Sequence, residues 1–315
     1  MTQNPLCAII LVHKGFLYSF WKKWGAIVAR KTSKMTDKKI ARYLKEGRGQ
    51  GEGAEYTPWL KVGDFSSQGR GHRIKNPKTG REHHFFSDLE ADYFWHLIWN
   101  DQIIDIREQY PLLPVEDAEE IALTLGYPYP REAVENGRHV MTTDFILTVK
   151  DPGGERIVAR HVKHAKDLSN ARTVEKIEIE RMYWESRGIE LKIVTETSFN
   201  RRRARNINFL MGYYSSLPQL DNPNVIAQME DYILELIAPE WKYHSLSRLM
   251  QSVDHRLNMP DGTALSVFFH LAAHKEIPIQ MEKELLNGSM NLNDVIDWAK
   301  LENTKKEVDR YANYV

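Results

Sequence analysis

The 315-residue sequence contains one cysteine, Cys7. A lone thiol excludes an internal disulfide framework and any zinc site built on several cysteines. It suits a reducing, cytoplasmic setting. Net charge is also missing, since 43 Lys and Arg stand against 43 Asp and Glu. No global positive field therefore draws the chain toward polyanions or membrane surfaces. If it acts on nucleic acid, a local patch or a partner must supply much of the affinity. A membrane-spanning run is lacking too. Residues 6–29 hold "LCAIILV" and "FLYSFWKKWGAIVA", but His13, Lys14, Lys22 and Lys23 interrupt them, short of the roughly 20 apolar residues a span needs. The layout is not that of a signal peptide. A basic amphipathic surface helix stays open. The simpler expectation is an extension over 1–34, with Met35 opening an ordinary hydrophilic start.

What is present is a succession of helices and strands. Residues 36–46 pattern as a short helix ending at Gly47, and "GRGQGEG" after it reads as a flexible loop. That loop lacks the Gly-Lys-Ser/Thr of a phosphate loop and no apolar strand precedes it. Residues 66–84 are polar and basic, with a turn at "NPKTG". "SDLEADYFWHLIWND" is a helix capped by Ser87, with Leu89, Tyr93, Phe94, Leu97 and Ile98 on its apolar face. "QIIDIREQYPLL" is a strand, followed by a long loop. "RHVMTTDFILTV" and "RIVARHVK" are strands joined by the tight turn "KDPGGE". "TVEKIEIERMYWESRG" is a helix capped by Thr173 and stopped by Gly188, and "IELKIVTET" is a last strand. The order gives a hairpin and then a parallel crossover, hence a mixed sheet with helices on its faces. After Ser198 come the basic run "NRRRARN", three helical patterns and a segment, "IPIQMEKELLNGSMNL", compatible with a hairpin. Helices followed by a hairpin suggest a small winged-helix-like domain.

The residues that suggest chemistry lie on the middle hairpin. If Lys150 pairs with Glu155, Asp144 falls opposite His161 and diagonal to Lys163. Such neighbours sit about 5 Å and about 7–8 Å away. A plain cross-strand ion pair accounts for this equally well. The setting favours a site, because "TTDFILTV" is apolar on both sides of Asp144 and reads as a sheet covered on both faces. A buried acid there needs a metal or a charged partner. Glu90 has a simpler role available, since Ser87-Asp88-Leu89-Glu90 matches a capping box. Glu180, near Lys176, Tyr183 and Arg187, fits a solvated helix face. His161-x-x-His164 and His83-His84 lack the spacing of a four-ligand zinc site.

Taken together, "KEGRGQGEGAEYTPWL", "SDLE", "DIREQYPLL", "MTTDF", "VK" and "TVEKIEIERMYW" resemble the TnsA endonuclease family in order and spacing, well from Lys38 to Thr197 and less strongly beyond. TnsA is one subunit of a heteromeric cut-and-paste DNA transposase. The resemblance implies a restriction-endonuclease-like catalytic domain over 35–199 and a mainly helical, winged-helix-like domain over 200–315 for DNA or partner contact. It puts the catalytic acids and lysine at Glu90, Asp144 and Lys163, with His161 where the family has glutamine. Glu180 is an accessory candidate. Glu90, Asp144 and the backbone carbonyl of Val162 would hold Mg²⁺, with Mn²⁺ able to substitute. Cleavage would fall at the 5′ ends of the transposon, leaving a 5′-phosphate and a 3′-hydroxyl. A TnsB-like transposase would cut and join the 3′ ends, and a TnsC-like ATPase would regulate both. Candidate DNA contacts are Arg70, His72, Arg73, Lys75, Lys78 and Arg81, then Arg201, Arg202, Arg203 and Arg205. For each, a solvated loop is the competing reading. Two other functions stay open: a scaffold subunit whose nuclease core has decayed, and a stand-alone restriction-type nuclease.

Overall fold

A computed structural model describes residues 36–64, 70–131, 139–215 and 223–303. The expected extension over 1–34 lies outside them. Helix α1 (Asp37–Lys45) starts at Thr36, whose hydroxyl accepts from the Lys39 amide. The glycine run behind it departs from the expected loose loop. Alternate glycines take the left-handed conformation, and Gly49 lies so close to Pro111 that an added Cβ would meet its ring at 2.4 Å. The Gly49 amide donates to Thr57, so the turn is tied to the domain. The polar stretch before Ser87 forms a hairpin of β1 (His72–Lys75) and β2 (Glu82–Phe85), closed by the expected turn.

Helix α2 (Asp88–Trp99) follows Ser87, and β3 (Ile103–Pro111) follows α2. The next stretch, expected as a loop, contains helix α3 (Val115–Leu125). It starts at Pro114, without a side-chain cap, and that missing cap hides it from a sequence reading. Val115, Ala118 and Ala122 give it a narrow buried stripe. Strands β4 (Thr142–Asp151) and β5 (Gly154–Val162), helix α4 (Ala171–Glu185) and strand β6 (Glu190–Val194) complete the unit. The α4 cap is Asn170 rather than Thr173, because the Asn170 side-chain Oδ1 accepts from the Thr173 amide at 3.1 Å.

The main sheet runs β3-β4-β5-β6, antiparallel for the first two pairings and parallel for the last. The hairpin register is the expected one, Lys150 opposite Glu155 and Phe145 opposite Arg160. Side chains alternate along β4 as they must. Phe145, Leu147 and Val149 join the core on the α2 side, while Ile146 joins Ile179, Tyr183 and Trp184 of α4. The sheet is thus covered on both faces.

The C-terminal region is helical: α5 (Arg201–Met211), α6 (Pro223–Leu236), α7 (Leu246–Arg256), α8 (Thr263–Ala273) and the single turn α9 (Leu292–Val295). The hairpin expected within its last part is not formed; the segment makes only the bridges Ser245–Asn291 and Ile279–Ile296. One apolar cluster runs from Leu89, Phe94 and Ile98 of α2 through Ala204, Ile207 and Leu210 of α5 to Phe268 and Leu271 of α8. Each of the Leu, Ile and Phe side chains in it contributes roughly 1.5–3 kcal/mol. No helix among the described residues is long and apolar enough to cross a membrane.

Candidate active site

Asp144 lies one residue beyond the last regular pair of the β4–β5 ladder. Its Oδ2 accepts from the Val162 amide at 2.7 Å and sits 3.7 Å from His161 Nδ1. The same ring nitrogen is 2.9 Å from Glu180 Oε2, at ion-pair distance but without hydrogen-bond alignment. The expected solvated face for Glu180 is therefore overturned, since its side chain is 2% exposed. It projects from α4 onto the sheet face that carries His161. Its Oε1 is buried without a partner.

Glu90 closes the start of α2 in a variant of the capping box, its return bond going to the amide before the N-cap. Its amide donates to Ser87 Oγ at 3.1 Å, Ser87 Oγ donates to Glu90 Oε1 at 2.7 Å, and Oε2 accepts from the Phe86 amide at 3.1 Å. The cap does not exhaust the carboxylate, which is 7% exposed. Gln109 Nε2 also donates to Oε2, at 3.3 Å. Burial, then the Asp144 charge, push the Glu90 carboxyl up to about 7. Burial first and Glu180 next raise Asp144, against His161, the Val162 amide and Lys163. Burial alone would lower His161, but Glu180 and Asp144 outweigh it and carry the imidazole up to about 9. The charge of Lys163 reaches both Asp144 and His161. Its backbone amide donates to Val194, and its ammonium makes no ion pair with any described residue.

Gln109 was not foreseen. The register that pairs Glu108 with Phe145 and Tyr110 with Thr143 sets it across β3 from Asp144. It is a buried non-glycine residue at φ 49, a conformation that costs about 1 kcal/mol. Its side chain links Glu90 to Thr142, whose hydroxyl donates to Oε1 at 3.2 Å. Extending the register count from β4–β5 to β3–β4 would have found it.

A divalent cation suits this donor set. Mg²⁺ is held by one or two carboxylates together with waters and substrate phosphate. The Glu90 and Asp144 carboxylates are desolvated and in electrostatic conflict, and Glu180, paired with His161, adds a third acid beside Asp144. No group of three or more His, Cys, Asp or Glu side chains is arranged to hold a metal among the described residues. The bond observed at Val162 is that of its amide.

Residues 100–196 match the model of the TnsA-like endonuclease N-terminal domain, and residues 200–281 match that of the TnsA endonuclease C-terminal domain. The transposon Tn7 transposition protein TnsA of Escherichia coli is 38% identical over 256 residues, covering 81% of this chain and 90% of that protein. The chain belongs to the TnsA endonuclease family. Within this TnsA-family chain the N-terminal match takes in Asp144, His161, Lys163 and Glu180 but begins after α2. Glu90 lies outside that match and is tied to the site through Gln109, which bonds its carboxylate and stands opposite Asp144.

The basic candidates separate by location. Arg81 is turned inward, its guanidinium bonding Glu108 at 3.1 and 2.8 Å and the Ile106 carbonyl at 2.6 Å. That corrects the expectation of phosphate contact at this position. Glu108 is fully buried; burial alone would raise its carboxyl, but His83 and Arg81 bring it down to about 2. Arg81→Ala removes the guanidinium from that charge and leaves it only His83 and the His84 amide, so it is expected to cost about 3 kcal/mol in urea unfolding. Loss of DNA affinity at unchanged stability would contradict this placement. Lys78 reaches Asp101, 3.8 Å away, beside Lys275 of the helical region. Arg202 bonds the Lys283 carbonyl and Arg203 pairs with Glu282 at 3.2 Å. Arg70, Arg73, Lys75, Arg201 and Arg205 line a common groove.

Proposed function

We propose that this TnsA-family endonuclease hydrolyses one phosphodiester at each 5′ end of a transposon, with Glu90, Asp144 and Lys163 as its reactive groups. The observation that carries this reading is the Asp144 site itself. Desolvated carboxylates lie within electrostatic reach of a lysine whose ammonium makes no ion pair among the described residues. Glu90 and Asp144 would hold Mg²⁺, with the Val162 carbonyl a further oxygen. When bound, the ion supplies Lewis acidity toward the phosphate and lowers the pKa of a coordinated water. Lys163 orients the attacking water and offsets the negative charge that grows on the phosphate oxygens. Water adds to phosphorus, the bond to the 3′ oxygen breaks, and that oxygen leaves as a hydroxyl with the 5′-phosphate on the other fragment. His161, bridging toward Glu180, orients Asp144 from the neighbouring strand. Residues 35–199 carry the chemistry. Residues 200–315 contact DNA, a TnsB-like transposase that cuts the 3′ ends, and a TnsC-like ATPase.

The test uses end-labelled duplex carrying the transposon ends, in Mg²⁺ or Mn²⁺, with and without the partner transposase. A 5′-end nick bearing 5′-phosphate and 3′-hydroxyl, appearing only when the partner is present, is the expected product. Cleavage of arbitrary duplex by the chain alone would favour a stand-alone nuclease. No nick under any of these conditions would leave a scaffold role.

A further inference from the structure

The two basic clusters are far apart in sequence yet line one groove of about 480 Å³. One wall is β1 with the two residues before it, carrying Arg70, Arg73 and Lys75. The other is the first turns of α5, carrying Arg201 and Arg205. Helical periodicity explains the selection, since residues four apart share a face. Arg202 and Arg203 project elsewhere and anchor on 282–283. Between the walls runs the outer side of α2, with Asp88, Ala91, Asp92 and Trp95 at helical spacing. Glu90 leaves the same first turn in a different direction, toward Gln109 of β3, which stands opposite Asp144. A polyanion lying in the groove would thus be about one helix diameter from the candidate site, roughly 10 Å.

The aspartates on the floor already engage these cations. Arg201 Nε donates to Asp92 Oδ2 at 2.6 Å. His72 Nε2 is 2.7 Å from Asp88 Oδ1, and Arg70 Nη1 is 4.0 Å from Asp88 Oδ2. Arg73, Lys75 and Arg205 make no ion pair among the described residues. Part of the groove's positive charge is therefore neutralised from within, by carboxylates occupying the positions of phosphates.

We propose that this groove is the track for the DNA backbone and that Asp88 and Asp92 act as built-in competitors for it, holding its cations until a duplex displaces them. This deepens the endonuclease reading and rests on it for the identity of the polyanion. It also fits a chain whose 43 Lys and Arg are balanced by 43 Asp and Glu. Exchange of an internal carboxylate for a phosphate is close to neutral, so the net gain comes from the uncommitted cations and from counterion release.

The full chain is titrated into a labelled 30-base-pair duplex of arbitrary sequence, in EDTA and at low salt, so that no cleavage enters the readout. Asp92→Asn is expected to bind about 3- to 10-fold tighter than wild type. Asp88→Asn is the second variant should the first fail to fold by thermal melting. Adding Arg201→Ala or Arg205→Ala in the tighter background should reverse the gain and lower the salt slope by about one each. Glu190→Gln, a charge-matched change on β6, should tighten binding by less than half as much. Equal tightening by that control overturns the proposal. So does no gain from either aspartate variant, including the case in which nothing binds, or arginine changes that leave the salt slope alone. Because the assay contains no metal, failure of the nuclease reading leaves this result standing. Conversely, 5′-end nicking by variants whose binding the groove does not affect would sink only the groove.

Discussion

Asp144→Ala should reduce 5′-end nicking by about 10³-fold or more while leaving the protein folded and able to bind duplex DNA. The basis is what Asp144 touches. Its carboxylate faces Glu90 electrostatically, accepts from Val162 and lies beside His161. Removing one preorganised group at a reacting phosphate costs about 10²–10³, and under the proposed mechanism the loss of a metal ligand would add to that. Folding should survive because the carboxylate is itself held in an unfavourable, desolvated state. Its loss leaves the Val162 amide without its side-chain acceptor, at about 1–3 kcal/mol, and relieves a buried charge. Asp144→Asn sharpens the test, since its amide oxygen still accepts from Val162 but carries no charge. Nicking by Asp144→Asn at even a tenth of the wild-type rate would show that the acid serves the hairpin and not the reaction.

Glu90→Gln is expected to stabilise the metal-free protein above neutral pH and to slow nicking by about 10²-fold. Glutamine can still close a capping box, so the helix start should survive. What disappears is a buried charge. In the folded protein the Glu90 carboxyl titrates near 7, above its unfolded value of 4.5. Below the unfolded value both states hold the proton and Glu90 contributes nothing. As pH rises from there to about 7 the unfolded chain ionises first, so stability falls; above 7 the penalty is complete, at most about 3 kcal/mol. The glutamine variant escapes it. His161 works in the same direction over a later window. Its stabilising charge is fully present below 6.5 and lost as pH rises through about 9. Thermal melting from pH 4 to 9 reads both, with and without Mg²⁺. Wild type should gain more melting temperature from Mg²⁺ at pH 8 than at pH 5, and Glu90→Gln should gain less at both. If Glu90→Gln nicks like wild type and melts with the same pH profile, the residue is a helix cap and nothing more.

Much of this arrangement was legible in the sequence where local signals are strong. Ser87 before an apolar stripe marks α2 and Asp-Pro-Gly-Gly fixes the β4–β5 turn. The turn sets the register that brings Asp144 to His161. Signals failed where structure depends on distant partners. Helix α3 starts at a proline without a side-chain cap, and its stripe is only three residues wide. Glu180 looks like one charge among several until α4 is laid on the sheet. Arg81 sits in a basic stretch that reads as surface, and only the β1–β2 hairpin packing against β3 turns it toward Glu108. Gln109 carries no local signal, because its role follows from two strand registers and an unusual backbone conformation.

The segment around 196–200 is where the two family matches meet, and it has the look of a seam. The packing contradicts that look. Phe199 stacks near Tyr93 and His96, the Asn200 carbonyl lies 3.0 Å from His96 Nε2, and Arg201 is bonded to Asp92. Helices α2 and α5 are fitted to each other across it, within one apolar cluster. A chimera assembled at this point from two relatives would inherit mismatched halves of that contact. Natural recombination should therefore exchange α2 and α5 together, so α2 should share its lineage history with the C-terminal matched segment.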